Sequence, residues 1–101
     1  MKNDIIYSGN EEITAKKIKI LDNMILKITF SNDEVKLFDV TQLLSMPAFQ
    51  ILKNKEIFEN PKIEYGVVTW DNGNVDIAPE TLYKNSINMD EVINWIKDFE
   101  N

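Results

Sequence analysis

Asp39 and Asp76 each close a β-rich run just before residues with helical signals, and Glu80 follows Asp76 by four positions. Two carboxylates brought together can share a proton or, with further oxygen ligands, hold a divalent cation. A metal-dependent or small-molecule enzyme using Asp39, Asp76 and Glu80 near Trp70 is therefore one reading. The commoner use of such carboxylates is to accept backbone N–H bonds at a helix start, where the macrodipole favours negative charge. No D-x-D-x-D-G loop supplies the extra oxygens, so capping is the expected role. Trp70, Tyr65 and Tyr83 are the aromatic candidates, a stacking platform for a base or sugar if they share a face. A Trp on a strand beside helix-borne Leu82 and Tyr83 is more often core, with its N–H paired at the rim. Lys16, Lys17, Lys19, Lys27 and Lys36 could gather into a basic strip, though a solvated sheet face explains them as well, and edge-strand lysines deter aggregation. The chain has no histidine and no cysteine. That removes the usual activators of serine and threonine, thiolate chemistry, and the commonest metal ligands. Ser–Lys chemistry stays open but nothing positions it. With only three glycines and no glycine-rich phosphate loop, no catalytic residue, metal ligand or cofactor site is expected.

The elements that would position these side chains centre on Val67 to Tyr83. Val67 to Trp70 reads as a strand, Asp71-Asn72-Gly73-Asn74 as a turn, and Val75 to Ile77 as the returning strand. Asn72 and Gly73 both accept the positive φ of a tight type I′ turn. Pro79 then opens a helix, since it lacks an N–H where none is needed and steers Ala78 away from helical geometry.

Upstream, residues 1–12 read as an N-terminal arm. Ile13 to Leu21 alternates and reads as the first strand, Asp22-Asn23 as a two-residue turn. Met24, Leu26, Ile28 and Phe30 then alternate with Ile25, Lys27, Thr29 and Ser31, the period of a strand with one buried face. After Asn32-Asp33, Val35 to Val40 completes an antiparallel meander. Thr41 is the expected cap of a short helical turn. Phe49, Ile51 and Leu52, then Ile57 and Phe58, suit two helical pieces broken near Lys53-Asn54, with Asn54 as the second cap. Ile63 and Tyr65 begin the second β portion, with Gly66 at a turn or bulge. Lys84 to Ile87 read as a linker, and residues 88–101 as a terminal helix whose Met89, Val92, Ile93, Ile96 and Phe99 share one face, with Trp95 at its edge. The expected fold is α+β: residues 13–87 form one domain in which antiparallel strands from 13–40 and 63–77 share a sheet covered by short helices.

A net charge of −6, from 17 acidic against 11 basic residues, disfavours direct binding to nucleic acid phosphates. No run approaches the length of a membrane span, Met1 to Asn10 is too polar for a signal peptide, and the lack of cysteine fits the cytoplasm.

W-x-N-G-x-x-D-I-A-P-E-x-L-Y, from Trp70 to Tyr83, carries the specific likeness. It follows Phe30-Ser31-Asn32-Asp33, Phe38-Asp39-Val40, Phe49-x-x-Leu52 and Phe58, and with them resembles the small bacterial family called domain of unknown function 2442 over about Ile13 to Tyr83. That family usually has Asp-Gly in its first hairpin, whereas Ser31-Asn32-Asp33-Glu34 here has no glycine, so this turn differs in type. The resemblance implies an α+β fold without an established activity. It also implies a setting beside a second small neighbour-encoded protein, as in toxin and antitoxin pairs. The expected function is thus a non-enzymatic module that binds another protein, with motif and interaction residues among Trp70, Asn72, Gly73, Asp76, Pro79, Tyr83, Trp95 and Phe99. Trp95 either completes the packing of this helix on the sheet domain or, with Phe99, serves a homodimer or partner interface. A further alternative is a phage-type inhibitor whose acidic surface mimics nucleic acid.

Overall fold

Period-two alternation places Leu26, Ile28 and Phe30 on one face of a strand, and all three are fully buried. In the computed structural model, which describes residues 12–93, they lie on the central strand of a meander: β1 (Ala15–Leu21), β2 (Ile25–Phe30) and β3 (Val35–Asp39). Leu26 pairs with Ile20 and Phe38, and Ile28 with Ile18 and Lys36, which fixes one face toward the core. Three-residue turns replace the expected two-residue ones. Asn23 and Met24, between β1 and β2, and Asp33, between β2 and β3, adopt positive φ. At the second turn the Asp33 N–H donates to the Phe30 carbonyl and the Phe30 N–H to that of Glu34, both at 2.8 Å. Asp33 thus takes the left-handed position where hairpins of this length prefer glycine.

The second β region is a separate sheet. β4 (Lys62–Glu64), β5 (Val67–Trp70) and β6 (Val75–Ile77) form a three-stranded antiparallel unit, while β1, β2 and β3 are joined by β7 (Ile87–Asn88). The expectation of one shared sheet is corrected at Ala15. A register shift between Ala15 and Lys17 marks a bulge in β1, and a bulge bends its strand and interrupts the ladder. Contact with the second sheet narrows to one main-chain bond there, from the Ala15 N–H to the Gly66 carbonyl at 2.8 Å. The sheets still share one core, in which Leu26, Ile28, Phe30 and Phe38 meet Val68, Trp70, Val75 and Ile77. The chain is α+β as expected.

Short helical pieces close that core. Asp39, not Thr41, caps the 3₁₀ turn Val40–Leu43: its carboxylate accepts from the Thr41 N–H at 2.9 Å. A longer 3₁₀ segment, Pro47–Lys53, leads to α1 (Lys55–Phe58), which Asn54 caps by accepting from the Glu56 N–H. α2 (Pro79–Asn85) starts at proline and buries Leu82. Residues 84 and 85 continue that helix and Ile87–Asn88 pairs with Leu37 and Lys36, so the expected linker is instead helix end and fourth strand. Residues 89–93 are helical, and no helix among the described residues is long and apolar enough to cross a membrane.

Candidate functional site

Pro79 at the first position of α2 and Ala78 before it, extended at φ −56° and ψ 135°, fix where the helix leaves β6. Leu82 then points inward. Tyr83, one residue further round, faces β2 and β3 and is gripped from three sides. The Phe30 ring meets it edge-on at 5.1 Å, the Lys36 Nζ lies 3.8 Å from its ring centroid, and its hydroxyl donates to the Glu34 carboxylate. Lys36 also donates to the Tyr83 carbonyl at 2.8 Å. The hydrogen bond from Tyr83, with a second from Asn32, holds the Glu34 carboxyl below the usual carboxylate range. The same bond to Glu34, followed by burial, pushes the Tyr83 phenol above its ordinary value. A phenol that stays protonated and already donates is a poor base; Tyr83 serves to clamp α2 to the meander.

Opposite Tyr83 stands Tyr65. Glu64 pairs with Val67, so Tyr65-Gly66 is a two-residue hairpin turn, with φ of 52° and 79°. Two positive φ values define type I′ geometry, which favours Asn or Gly at the first position because a Cβ there crowds the following carbonyl. Tyrosine occupies it while fully exposed, so no burial offsets the strain. The turn beneath is fixed. Gly66 accepts from Ala15, and a Cβ on Gly66 would lie 2.7 Å from the Thr14 Cβ. Tyr65, Ile13, Val67, Pro79 and Tyr83 line a groove whose rim carries Glu12, Glu80 and Lys84. An exposed aromatic ring on a fixed turn, beside apolar walls and a charged rim, is suited to meeting a protein side chain.

The carboxylates separate. Asp39, engaged by the Thr41 N–H and by its hydroxyl at 2.5 Å, borders Ile25 and Leu37 on the outer face of the meander, while Glu80 borders the Tyr65 groove. Asp76 does not cap α2, which begins without a side-chain cap. It lies exposed in the cross-strand row Lys62, Thr69, Asp76, because alternation sends Val75 and Ile77 to the core and Asp76 outward. Among the described residues no three His, Cys, Asp or Glu side chains are grouped to hold a metal ion.

The aromatic trio divides as well. Trp70 is buried, stacked on Phe58 at 6.3 Å, and its indole N–H donates to the Phe58 carbonyl at 3.0 Å; only Tyr65 and Tyr83 share a groove. Asn72 and Gly73 have positive φ as expected, and so does Asp71, which makes two overlapping turns in place of one. Of the lysines, register puts Lys17, Lys19 and Lys27 on the outer face, Lys19 opposite Lys27. Lys16 pairs with Asp33 at 2.9 Å and holds that carboxyl below the usual range, and Lys36 is committed to Tyr83. Trp95 and Phe99 lie outside the described residues. Sequence reasoning missed the grip of Glu34 and Lys36 on Tyr83, which spans 47 to 49 positions; the turn at Gly66 is as expected, with Tyr65 as its other central residue.

No curated protein and no solved structure gives a significant match to the chain. The family model described as "Protein of unknown function (DUF2442)" matches residues 15–88, both sheets and α2 included. The chain belongs to that family.

Proposed function

We propose that this chain is a cytoplasmic, non-enzymatic interaction module that takes a partner protein at the Tyr65 groove, in the manner of an antitoxin binding a small neighbour-encoded protein. The observation that carries the reading is Tyr65 itself, an aromatic residue kept fully exposed at a strained backbone position on a fixed turn. Rigid aromatic side chains bordered by apolar walls commonly supply much of the energy of a protein interface. The mixed rim of Glu12, Glu80 and Lys84 supports a polar border around that contact. The toxin and antitoxin element rests on the family likeness alone. The test is co-expression with the adjacent small protein, followed by calorimetry on the wild type, Tyr65→Phe and Tyr65→Asn. Binding retained by phenylalanine and weakened at least tenfold by asparagine, about 1.4 kcal/mol, supports the reading; equal affinity for all three sinks it.

A further inference from the structure

The outer face of the four-stranded sheet carries an open aliphatic strip beside a row of lysines. Register brings Leu21, Ile25, Leu37 and Ile87 to that face together with Lys17, Lys19 and Lys27. Ile25, Leu37, Asp39 and Ile87 line an apolar groove there, and Ile87 remains 56% exposed. The aliphatic strip on this face gains by being covered.

We infer that residues 94–101 of the same chain are that cover. The described chain is already heading there: Met89 and Asp90 lie beside Asn32 to Val35, and Glu91 and Val92 border the groove with Leu37 and Ile25. Helical residues 89–93 thus pass over the meander toward its Ile25 end. Residues 94–101 supply ~12 Å of further helix at 1.5 Å per residue. At 100° per residue, Val92, Trp95, Ile96 and Phe99 fall on adjoining positions of one face. The polar remainder includes Asp98 and Glu100, opposite in sign to Lys17, Lys19 and Lys27. The groove suits one helix of this length. A second copy would bring a far larger surface than this patch can match, given the ~800 Å² per partner of a stable interface.

The test uses tryptophan fluorescence of the full chain. Trp70 is buried, so comparison with Trp95→Phe isolates the Trp95 signal. The expected result is a blue-shifted, acrylamide-protected Trp95 in a protein that light scattering shows to be monomeric. Leu37→Glu, on the outer face, should shift that emission to the red and raise quenching several-fold while circular dichroism stays native. Ile87→Glu gives the same reading should Leu37→Glu fold poorly. Three results overturn the assignment: a quenchable Trp95 in the wild type, protection indifferent to both outer-face substitutions, or protection found only in a dimer. The last would assign the face to a second copy.

Discussion

Replacing Tyr65 with asparagine should raise stability while weakening partner binding, a combination that an ordinary surface substitution does not give. A non-glycine residue in left-handed geometry costs about 1–2 kcal/mol, and asparagine recovers part of this through local hydrogen bonding. Since the Tyr65 side chain is fully exposed, little packing is lost. We expect a net gain of about 0.5–1 kcal/mol, which for a domain of this size is a rise of ~2–8 °C in Tm. Urea unfolding should show the same gain as a higher midpoint at an unchanged slope. Tyr65→Phe keeps both ring and backbone and should leave the midpoint where it is. A lower Tm for Tyr65→Asn would refute the reasoning, because it would mean that the ring contributes to the fold and that its exposure has another cause.

The two turn glycines should separate by environment. Gly73→Ala costs about 1 kcal/mol through its positive φ alone, a Cβ there meeting only Glu64 Oε1 at 3.7 Å. Gly66→Ala adds a collision with Thr14 and should lower the urea midpoint by clearly more; equal losses would contradict the close approach at the sheet junction. Trp70→Phe leaves the Phe58 carbonyl without its donor and removes core volume, for an expected loss of about 2–4 kcal/mol by denaturant titration. Tyr83→Phe should destabilise in a pH-dependent way. Glu34 has a depressed folded pKa, so its contribution is present above the unfolded carboxylate value and lost as pH falls through the folded one. Tyr83 has a raised folded pKa, so its contribution holds below the unfolded phenol value and is lost as pH rises through the raised one. The gap between wild type and Tyr83→Phe should therefore be widest between those ranges and narrow on both sides; a gap constant with pH would show that the hydroxyl is not paired to Glu34.

Local rules carried the sequence reading as far as local physics reaches. Leu26, Ile28 and Phe30 are legible because burial on one face forces period two, and Pro79 because its ring permits few conformations. Asn54 and Asp39 were legible as caps, whereas Thr41 was not one, since Asp39 offers a stronger acceptor two residues earlier. Asp76 misled for a related reason: proximity in sequence to a helix start suggested a cap, but strand alternation turned its side chain outward. The split into two sheets was hidden because a bulge at Ala15 leaves no mark in hydrophobic pattern. Ile87–Asn88 escaped because two residues cannot display a period; their pairing with Lys36 and Leu37 is a tertiary fact.

The groove proposed as the binding site also depends on that tertiary level. Tyr83 is fixed by Phe30, Glu34 and Lys36 of the meander, whereas Tyr65 belongs to the second sheet and is placed by the bond from Ala15 to Gly66. Neither sheet alone forms the groove, so a ligand seated between the two tyrosines binds only the assembled domain. Linkage then requires that partner binding raise the stability of the whole chain, by about 2.7 kcal/mol at a hundredfold excess of free partner over Kd. A tail docked on the outer face of the meander lies on a different surface and need not compete with that partner. Removing it should lower the Tm of the free protein while leaving the stabilisation added by the partner intact.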